Sequence, residues 1–277
     1  MREYLYVSAA LVLLTMPRLW AESTIAFQLG DQGGVIVPVM LNGSGPFKML
    51  LDTGASHSAI TAEVAAATGA RTVATSNVIT PAGETTRPIV AIDELSLGPI
   101  TVDLVLPSVV PNASFDADGK IQGLIGQDVL ASLRYTLDFQ RRVIEWHDQA
   151  PARRGLVLKL VFEQGRFLVN LPQDHTTLRL VPDSGAGGLV LFNVAGQRSH
   201  NIVDMGETVA LATAHASRQG RRVRIRELRL GDRTMRDIPA VTVERLDVRP
   251  AEGDGLLPLH LFERVTFDGP SRLLILG

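Results

Sequence analysis

Two acidic residues stand where an apolar run enters a tight turn. Asp52 closes the run in "KMLLDTGAS" (48–56), and Asp183 closes the run in "LRLVPDSGAG" (178–187). An ionised carboxyl loses its hydration in apolar surroundings, so both positions are costly unless the charge is shared. Two carboxyl groups within hydrogen-bond reach share one proton, and such a pair can activate water while polarising a carbonyl. A single copy of either triplet is more often a turn or a helix cap, because Asp, Ser and Gly are ordinary turn residues.

The two triplets belong to an internal repeat, which makes a shared function more plausible than two separate turns. Each triplet is followed, at a similar distance along the chain, by a glycine and an apolar pair, in Gly123–Ile125 and Gly255–Leu257. Four pairs of segments recur in the same order at a nearly constant offset: "LLDTGAS" at 50 with "VPDSGAG" at 181, "VAIDELSLG" at 90 with "VRIRELRLG" at 223, "GLIGQDVL" at 123 with "GLLPLHLF" at 255, and "LDFQRRVI" at 137 with "FDGPSRLL" at 267. The repeat predicts two similar lobes, residues 22–150 and 151–277, joined near the polar segment "HDQAPARRG" (147–155).

The elements that carry these motifs are mainly strands. Short runs of Val, Ile, Leu and Thr alternate with Gly, Pro and Asp-Gly turns, which is typical of an all-β fold. The pattern predicts two short helices, at 61–68 before Gly69 and at 127–133. The second lobe has no evident counterpart of the first helix.

Composition excludes several classes of function. The chain has 277 residues, is 45% hydrophobic, carries a net charge of −2 and contains no cysteine. It is long enough to bury a sizeable core, and nothing in its charge suggests a nucleic-acid partner. The absence of cysteine excludes disulfides and thiol catalysis.

These motifs resemble those of the retropepsin-like aspartic proteases, with both halves fused in one chain as in the pepsins. The resemblance covers nearly all of the chain from Glu22 onward and implies two β-barrel lobes related by a pseudo-twofold axis. It implies that Asp52 and Asp183 form the catalytic pair of an endopeptidase, with water as the nucleophile and no cofactor. It also implies supporting roles for Thr53, Gly54, Ser184 and Gly185, whose hydroxyls brace the two loops and whose amides donate to the carboxylates.

Members of the family also have a β-hairpin, called the flap, that closes over bound peptide. Both lobes contain a segment of this type, at 80–88 and 213–221, as in the homodimeric retropepsins. The expected flap and substrate-binding residues are Pro81, Ala82, Gly83, Ala214, His215 and Ala216. Neither segment contains the tyrosine of the pepsin flap, and His215 is more simply an exposed loop residue.

Other residues depart from the family pattern or carry weaker signals. Lobe two has Pro258 at the position equivalent to Gly126 of lobe one, and Pro182 directly precedes Asp183. These differences leave open whether the second lobe contributes to catalysis as fully as the first. The six histidines lack paired ligand spacing, so no metal site is expected. "DADGK" (116–120) is interpreted as a turn, since it lacks the closing Glu of a calcium loop. The alternating arginines of 222–226 are interpreted most simply as the solvated face of a strand, with a preference for acidic substrates as the alternative.

The segment 1–21 predicts an export signal, with an apolar run at 4–16 and a cleavage site after Ala21. An uncleaved anchor is the alternative. We therefore expect a periplasmic or extracellular protein that acts on peptide or protein substrates. It is expected to bind no nucleic acid and, once the export signal is cleaved, no membrane. A monomer is expected, because two fused lobes complete the site. The alternative function is that of an inactive pseudoprotease that binds peptides or a protein partner.

Overall fold

The structure is a computed structural model that describes residues 24–31, 33–80, 83–116, 118–173, 176–192, 201–213, 216–243 and 253–277. Strands dominate both halves, which confirms the predicted all-β class with a few short helices.

The N-terminal lobe holds twelve of the described strands and both α-helices. They are β1 Thr24–Ala26, β2 Gln28–Leu29, β3 Val35–Leu41, β4 Ser44–Leu51, β5 Ala59–Thr61, α1 Ala62–Ala67, β6 Arg71–Thr80, β7 Gly83–Leu97, β8 Ile100–Val105, β9 Ser108–Val110, β10 Gly123–Ile125, α2 Gln127–Leu130, β11 Arg134–Asp138 and β12 Val143–Trp146.

The C-terminal lobe repeats this order over its described residues. Its elements are β13 Leu156–Glu163, β14 Arg166–Pro172, β15 Thr177–Asp183, β16 Leu189–Phe192, β17 Ile202–Thr213, β18 Ala216–Leu230, β19 Arg233–Val243, β20 Gly255–Pro258, a 3-10 helix Leu259–Leu261, β21 Arg264–Asp268 and β22 Leu273–Leu276. The segment 147–155 between the lobes is irregular.

Local sequence explains why these elements form. In β3 every second side chain is buried, as the alternation of apolar residues requires. Asn42 and Gly43 both have positive φ and make the tight turn into β4. The hydroxyl of Thr61 accepts the Val64 amide and begins α1, as Ser and Thr do at N-caps.

The predicted helix at 127–133 is shorter than expected, because α2 ends at Leu130. The chain must turn there to enter β11, and the Leu133 carbonyl accepts the Gly269 amide instead of continuing the helix. A second-lobe counterpart of α1 would fall near residues 193–200, which lie outside the described residues.

Six antiparallel strands at one end of a 13-stranded sheet join the lobes, in the order β1-β12-β11-β21-β22-β13. We call these six strands the interlobe sheet. At its centre Thr136 of β11 faces Thr266 of β21, and their hydroxyls are 2.7 Å apart. On either side Arg134 pairs with Asp268 at 2.9 Å and Arg264 pairs with Asp138 at 2.5 Å. The two ion pairs are related by a pseudo-twofold axis between the threonines.

Parallel strand pairs deliver both acidic loops to the interface between the lobes. In the N-terminal lobe β4 runs parallel to β10, with Leu51 beside Ile125. In the C-terminal lobe β15 runs parallel to β20, with Asp183 beside Pro258. Most buried side chains around these strands belong to one core that includes residues of both lobes, while Leu124 of β10 packs in a small separate cluster with Ala59 and Val110. None of the described helices is long and apolar enough to span a membrane.

Candidate active site

The two acidic loops meet at the lobe interface. Asp52 directly follows β4, and its amide is held by the Ile125 carbonyl at 2.9 Å. Asp183 is the last residue of β15 and is 7% exposed. The two carboxyl groups are hydrogen-bonded to each other, although they lie in different halves of the sequence. The fold therefore produces the carboxyl pair that could share one proton.

Backbone amides hold each carboxylate in the same way. Gly54 and Ala55 donate to Oδ1 of Asp52 at 2.9 and 3.1 Å. Gly185 and Ala186 donate to Oδ1 of Asp183 at 2.7 and 3.1 Å. Hydrogen bonds to a charged carboxylate favour the charged form, so these donors partly offset the cost of burial.

The glycine of each triplet allows the opposite carboxylate to approach. A Cβ built on Gly54 would lie 2.5 Å from Oδ2 of Asp183, closer than any side chain tolerates. A Cβ on Gly185 would lie 3.3 Å from Cγ of Asp52, which is tight but less prohibitive. The close contact of the two carboxyl groups thus depends on glycine most strongly in the first loop.

The hydroxyls of the two triplets bind each other's loops. Thr53 Oγ1 accepts the Ser184 amide at 3.0 Å and donates to the Pro182 carbonyl at 2.8 Å. In return Ser184 Oγ accepts the Thr53 amide at 3.1 Å and donates to the Leu51 carbonyl. Thr53 and Ser184 are buried, so four hydrogen bonds fix the two loops against each other away from water. Because Ser184 is fully engaged, its hydroxyl is not a free nucleophile.

Lobe one supports its loop with residues that the sequence patterns did not single out. Gln127 in α2 donates its Nε2 to the Thr53 carbonyl at 2.8 Å. The carboxylate of the next residue, Asp128, accepts the amide of Ser58 at 2.9 Å and its hydroxyl at 2.8 Å. At the repeat offset, lobe two has Leu259 and His260 instead. This difference is visible in the sequence, where the repeat motif reads "GQDVL" in lobe one and "PLHLF" in lobe two.

His260 supports the second loop differently. Its ring is half-buried and hydrogen-bonded to the backbone of Ala186, next to the second carboxylate. Burial lowers the pKa of His260, although this hydrogen bond favours the protonated ring. The second acidic loop is therefore contacted by an imidazole that is mostly neutral near pH 7.

Burial raises the pKa of both carboxyl groups. For Asp183 the charge of Asp52 raises the pKa further. For Asp52 the Gly54 and Ala55 amides, the hydrogen bond with Asp183 and the charge of Arg166 lower it. Two carboxyl groups coupled in this way titrate as a pair, and they hold one proton between them over the range between their two titration steps.

Arg166, the first residue of β14, is a cation that the sequence analysis missed. It lies within electrostatic range of both carboxyl groups and is partly buried. Its neighbour Gly165 packs against Ser56 of the first acidic loop, since a Cβ built on Gly165 would lie 3.0 Å from the Ser56 Cβ. A single arginine in an arginine-rich chain lacks a recognisable motif, so only the packing of the lobes identifies it.

The structure describes two of the six expected flap residues. Pro81, Ala82, Ala214 and His215 lie outside the described residues. Gly83 begins β7 opposite Thr80, and Ala216 begins β18 opposite Thr213. The long β6–β7 and β17–β18 hairpins therefore exist in both lobes at the predicted segments, while their role as flaps stays a prediction.

The remaining sequence signals have simpler explanations. The Asp116 carboxylate accepts the amides of Lys120 and Ile121 at 3.0 and 3.1 Å, which makes "DADGK" a turn as predicted. Along β18, Arg222, Arg224 and Arg226 are exposed, as expected for a solvated strand face. Within the described ranges no cluster of three or more His, Asp and Glu side chains could hold a metal ion.

A protein family matches the chain in two places, one in each lobe. The family model described as "Aspartyl protease" matches residues 37–129 and again residues 169–261. No curated protein matches the chain. Among solved structures, a retropepsin-like aspartic protease from Rickettsia conorii is similar at 20% identity and a TM-score of 0.33, over 44% of this chain and 86% of that chain.

Proposed function

The chain belongs to the aspartyl protease family, and from this premise we propose that it is an endopeptidase whose Asp52 and Asp183 activate water to hydrolyse peptide bonds. One observation carries the proposal. Two carboxyl groups from equivalent loops of the two lobes, Asp183 buried and Asp52 partly buried, are hydrogen-bonded to each other, and each accepts two backbone amides.

The proposed reaction uses the single proton that the pair shares, and we assign one role to each carboxyl group. The Asp52 carboxylate removes a proton from a water molecule, while the protonated Asp183 donates a hydrogen bond to the scissile carbonyl oxygen. Water adds to the carbonyl carbon and gives a tetrahedral diol. The diol is neutral because the Asp183 proton passes to the carbonyl oxygen during the addition. When the C–N bond breaks, the nitrogen takes the proton held by Asp52 and one diol hydroxyl returns its proton to Asp183, so the product carboxyl forms without a covalent enzyme intermediate.

The rigid loops support this reaction. A pair of general acid and base must keep its geometry within a fraction of an ångström, because small displacements of reacting groups cost about a hundredfold in rate. The Thr53–Ser184 contacts and the Gln127 contact hold the first loop on two sides. We also propose that substrates bind as extended peptides between the lobes, below the two hairpin tips.

The test is cleavage of a mixed peptide library by the purified chain at several pH values, read by mass spectrometry. Asp52→Asn and Asp183→Asn should each reduce cleavage by at least about a thousandfold, since an amide cannot share the proton. Asp93→Asn, an exposed aspartate in β7, is the matched control and should keep full activity. Peptide binding without cleavage by the wild-type chain would favour the pseudoprotease alternative.

A further inference from the structure

Arg166 makes the cleft between the lobes chemically asymmetric. It precedes Asp183 by the same interval of sequence that separates Val35 from Asp52. Both residues begin equivalent strands, β14 and β3. Val35 is fully buried, and its amide donates to the Ser184 carbonyl of the opposite loop at 3.2 Å. One side of the pseudo-twofold axis therefore carries a cation where the other carries an apolar side chain.

The Arg166 guanidinium has no carboxylate at ion-pair distance within the described ranges. The residue opposite it in the β13–β14 hairpin is Glu163. That carboxylate is bound by Arg179 at 2.5 Å instead. Asp52 and Asp183 act on Arg166 only through their longer-range charge.

A partly buried cation without a close carboxylate is unusual in a folded protein, because its desolvation is normally compensated by a partner. A guanidinium presents five N–H donors in a planar fork that matches a carboxylate. The single negative charge of the proton-sharing pair partly offsets the desolvation of Arg166 through long-range electrostatics. It makes no hydrogen bond with the guanidinium N–H groups. The neighbouring Gly165 packs against Ser56 of the first acidic loop, and the charge of Arg166 acts on both carboxyl groups, so Arg166 lies close to the proposed site of cleavage.

We propose that Arg166 binds a carboxylate of the substrate, so that the protein selects peptides with an acidic group on one side of the scissile bond. This inference rests on the proposed function, because it assigns a specificity-determining contact in the same cleft. The carboxylate has two possible sources, the side chain of Asp or Glu and the C-terminus of a short peptide. The equivalent subsite, at Val35, has no cation and should show no such preference.

The experiment uses the full chain and one cleaved peptide taken from the library. Each position close to the cleaved bond, on both sides, is changed in turn to Gln and to Glu, with free and amidated C-termini. A charged hydrogen bond of this type corresponds to about a tenfold or larger gain in kcat/KM. We expect that gain for Glu over Gln at a single position, or for a free over an amidated C-terminus if the terminal carboxylate is the ligand.

Variants of Arg166 separate recognition from structural support. Arg166→Gln should abolish the tenfold preference, Arg166→Lys should keep part of it, and Arg166→Glu should favour Lys at the same position. Arg233→Gln removes an exposed arginine at the start of β19 and should leave the preference unchanged. The preference should also fade below about pH 4, where the glutamate of the peptide is protonated.

A binding measurement distinguishes failure of this inference from failure of the proposed function. Peptides in which a reduced amide replaces the scissile bond are compared as Glu and Gln forms by calorimetry. Charge-selective binding that Arg166→Gln abolishes supports the inference even if the natural peptides stay intact. Cleavage with equal kcat/KM for Glu and Gln forms at every position, a preference that survives Arg166→Gln, or no binding of either form would overturn it.

Discussion

Replacing Thr53 by Val tests whether the crossed hydroxyl contacts hold the two lobes in register. The change removes Oγ1 and keeps the branched shape. It leaves the Ser184 amide and the Pro182 carbonyl without their partner, in surroundings where Thr53 is 0% exposed. A buried polar group left unsatisfied costs about 1–3 kcal/mol. Two such groups predict a loss of about 2–6 kcal/mol, a large part of the roughly 5–15 kcal/mol typical of a folded domain.

The assay is equilibrium unfolding in urea, followed by the fluorescence of Trp146. This indole is buried in the interlobe sheet against Tyr135, with ring centroids 5.7 Å apart, so its emission reports separation of the lobes. Thr86→Val is the matched control, because the Thr86 hydroxyl is exposed and bonds only Asn77 at 2.9 Å. Its effect should stay within about 0.5 kcal/mol.

Ser184→Ala and the double variant complete a thermodynamic cycle. Residues that share hydrogen bonds show interaction energies of about 0.5–3 kcal/mol, so the double variant should lose less stability than the two single losses added. A loss below about 1 kcal/mol for Thr53→Val, or strict additivity in the cycle, would refute the argument that these hydroxyls brace one another.

Three further predictions follow from the site and the N-terminus. Gly54→Ala should reduce kcat by about a hundredfold or more, because its methyl group would displace the Asp183 carboxylate; Gly185→Ala should cost clearly less, and equal losses in steady-state kinetics would contradict the geometry. Arg166→Gln should move the acidic limb of the kcat/KM profile to higher pH, because the cation lowers the pKa of Asp52; an unchanged limb would contradict this role. N-terminal sequencing of the protein from its native host should find Glu22 first, whereas an intact first residue on a membrane fraction would indicate an anchor.

The strands, the repeat and the acidic loops could be predicted from the sequence because each depends on local pattern. Short apolar runs between turn residues indicated a strand-rich fold, and the two triplets identified the loops that carry Asp52 and Asp183. The contacts between lobes could not be predicted in this way. Four successive residues of β11 are buried, and the sequence does not show that Thr136 meets Thr266, since register between distant strands depends on the packing of the whole fold.

Arg166 and Gln127 escaped prediction for a related reason. Both act on the first acidic loop from elements that are distant in sequence. Arg166 belongs to no motif, and nothing within the motif "GLIGQDVL" indicates that Gln127 is the residue that reaches the loop. A partly buried arginine is indistinguishable by sequence from the many exposed ones. Comparison of the two repeats did contain a signal. Arg166 in lobe two is equivalent to Val35 in lobe one, and a charged residue at a position that is apolar in the other repeat indicates that the two lobes differ there.

The charge pattern at the centre of the interlobe sheet is self-complementary. In β11, Arg134 and Asp138 flank Thr136 at equal spacing, and β21 repeats the same order. An antiparallel pair of two β11 strands from separate molecules would form the same two ion pairs as the observed β11–β21 pair. These charges therefore fix the register but do not select the partner. Selection comes from the covalent segment 147–155, which keeps the second lobe at an effective concentration in the millimolar range, so exchange of lobes between molecules is governed by the tether and by protein concentration.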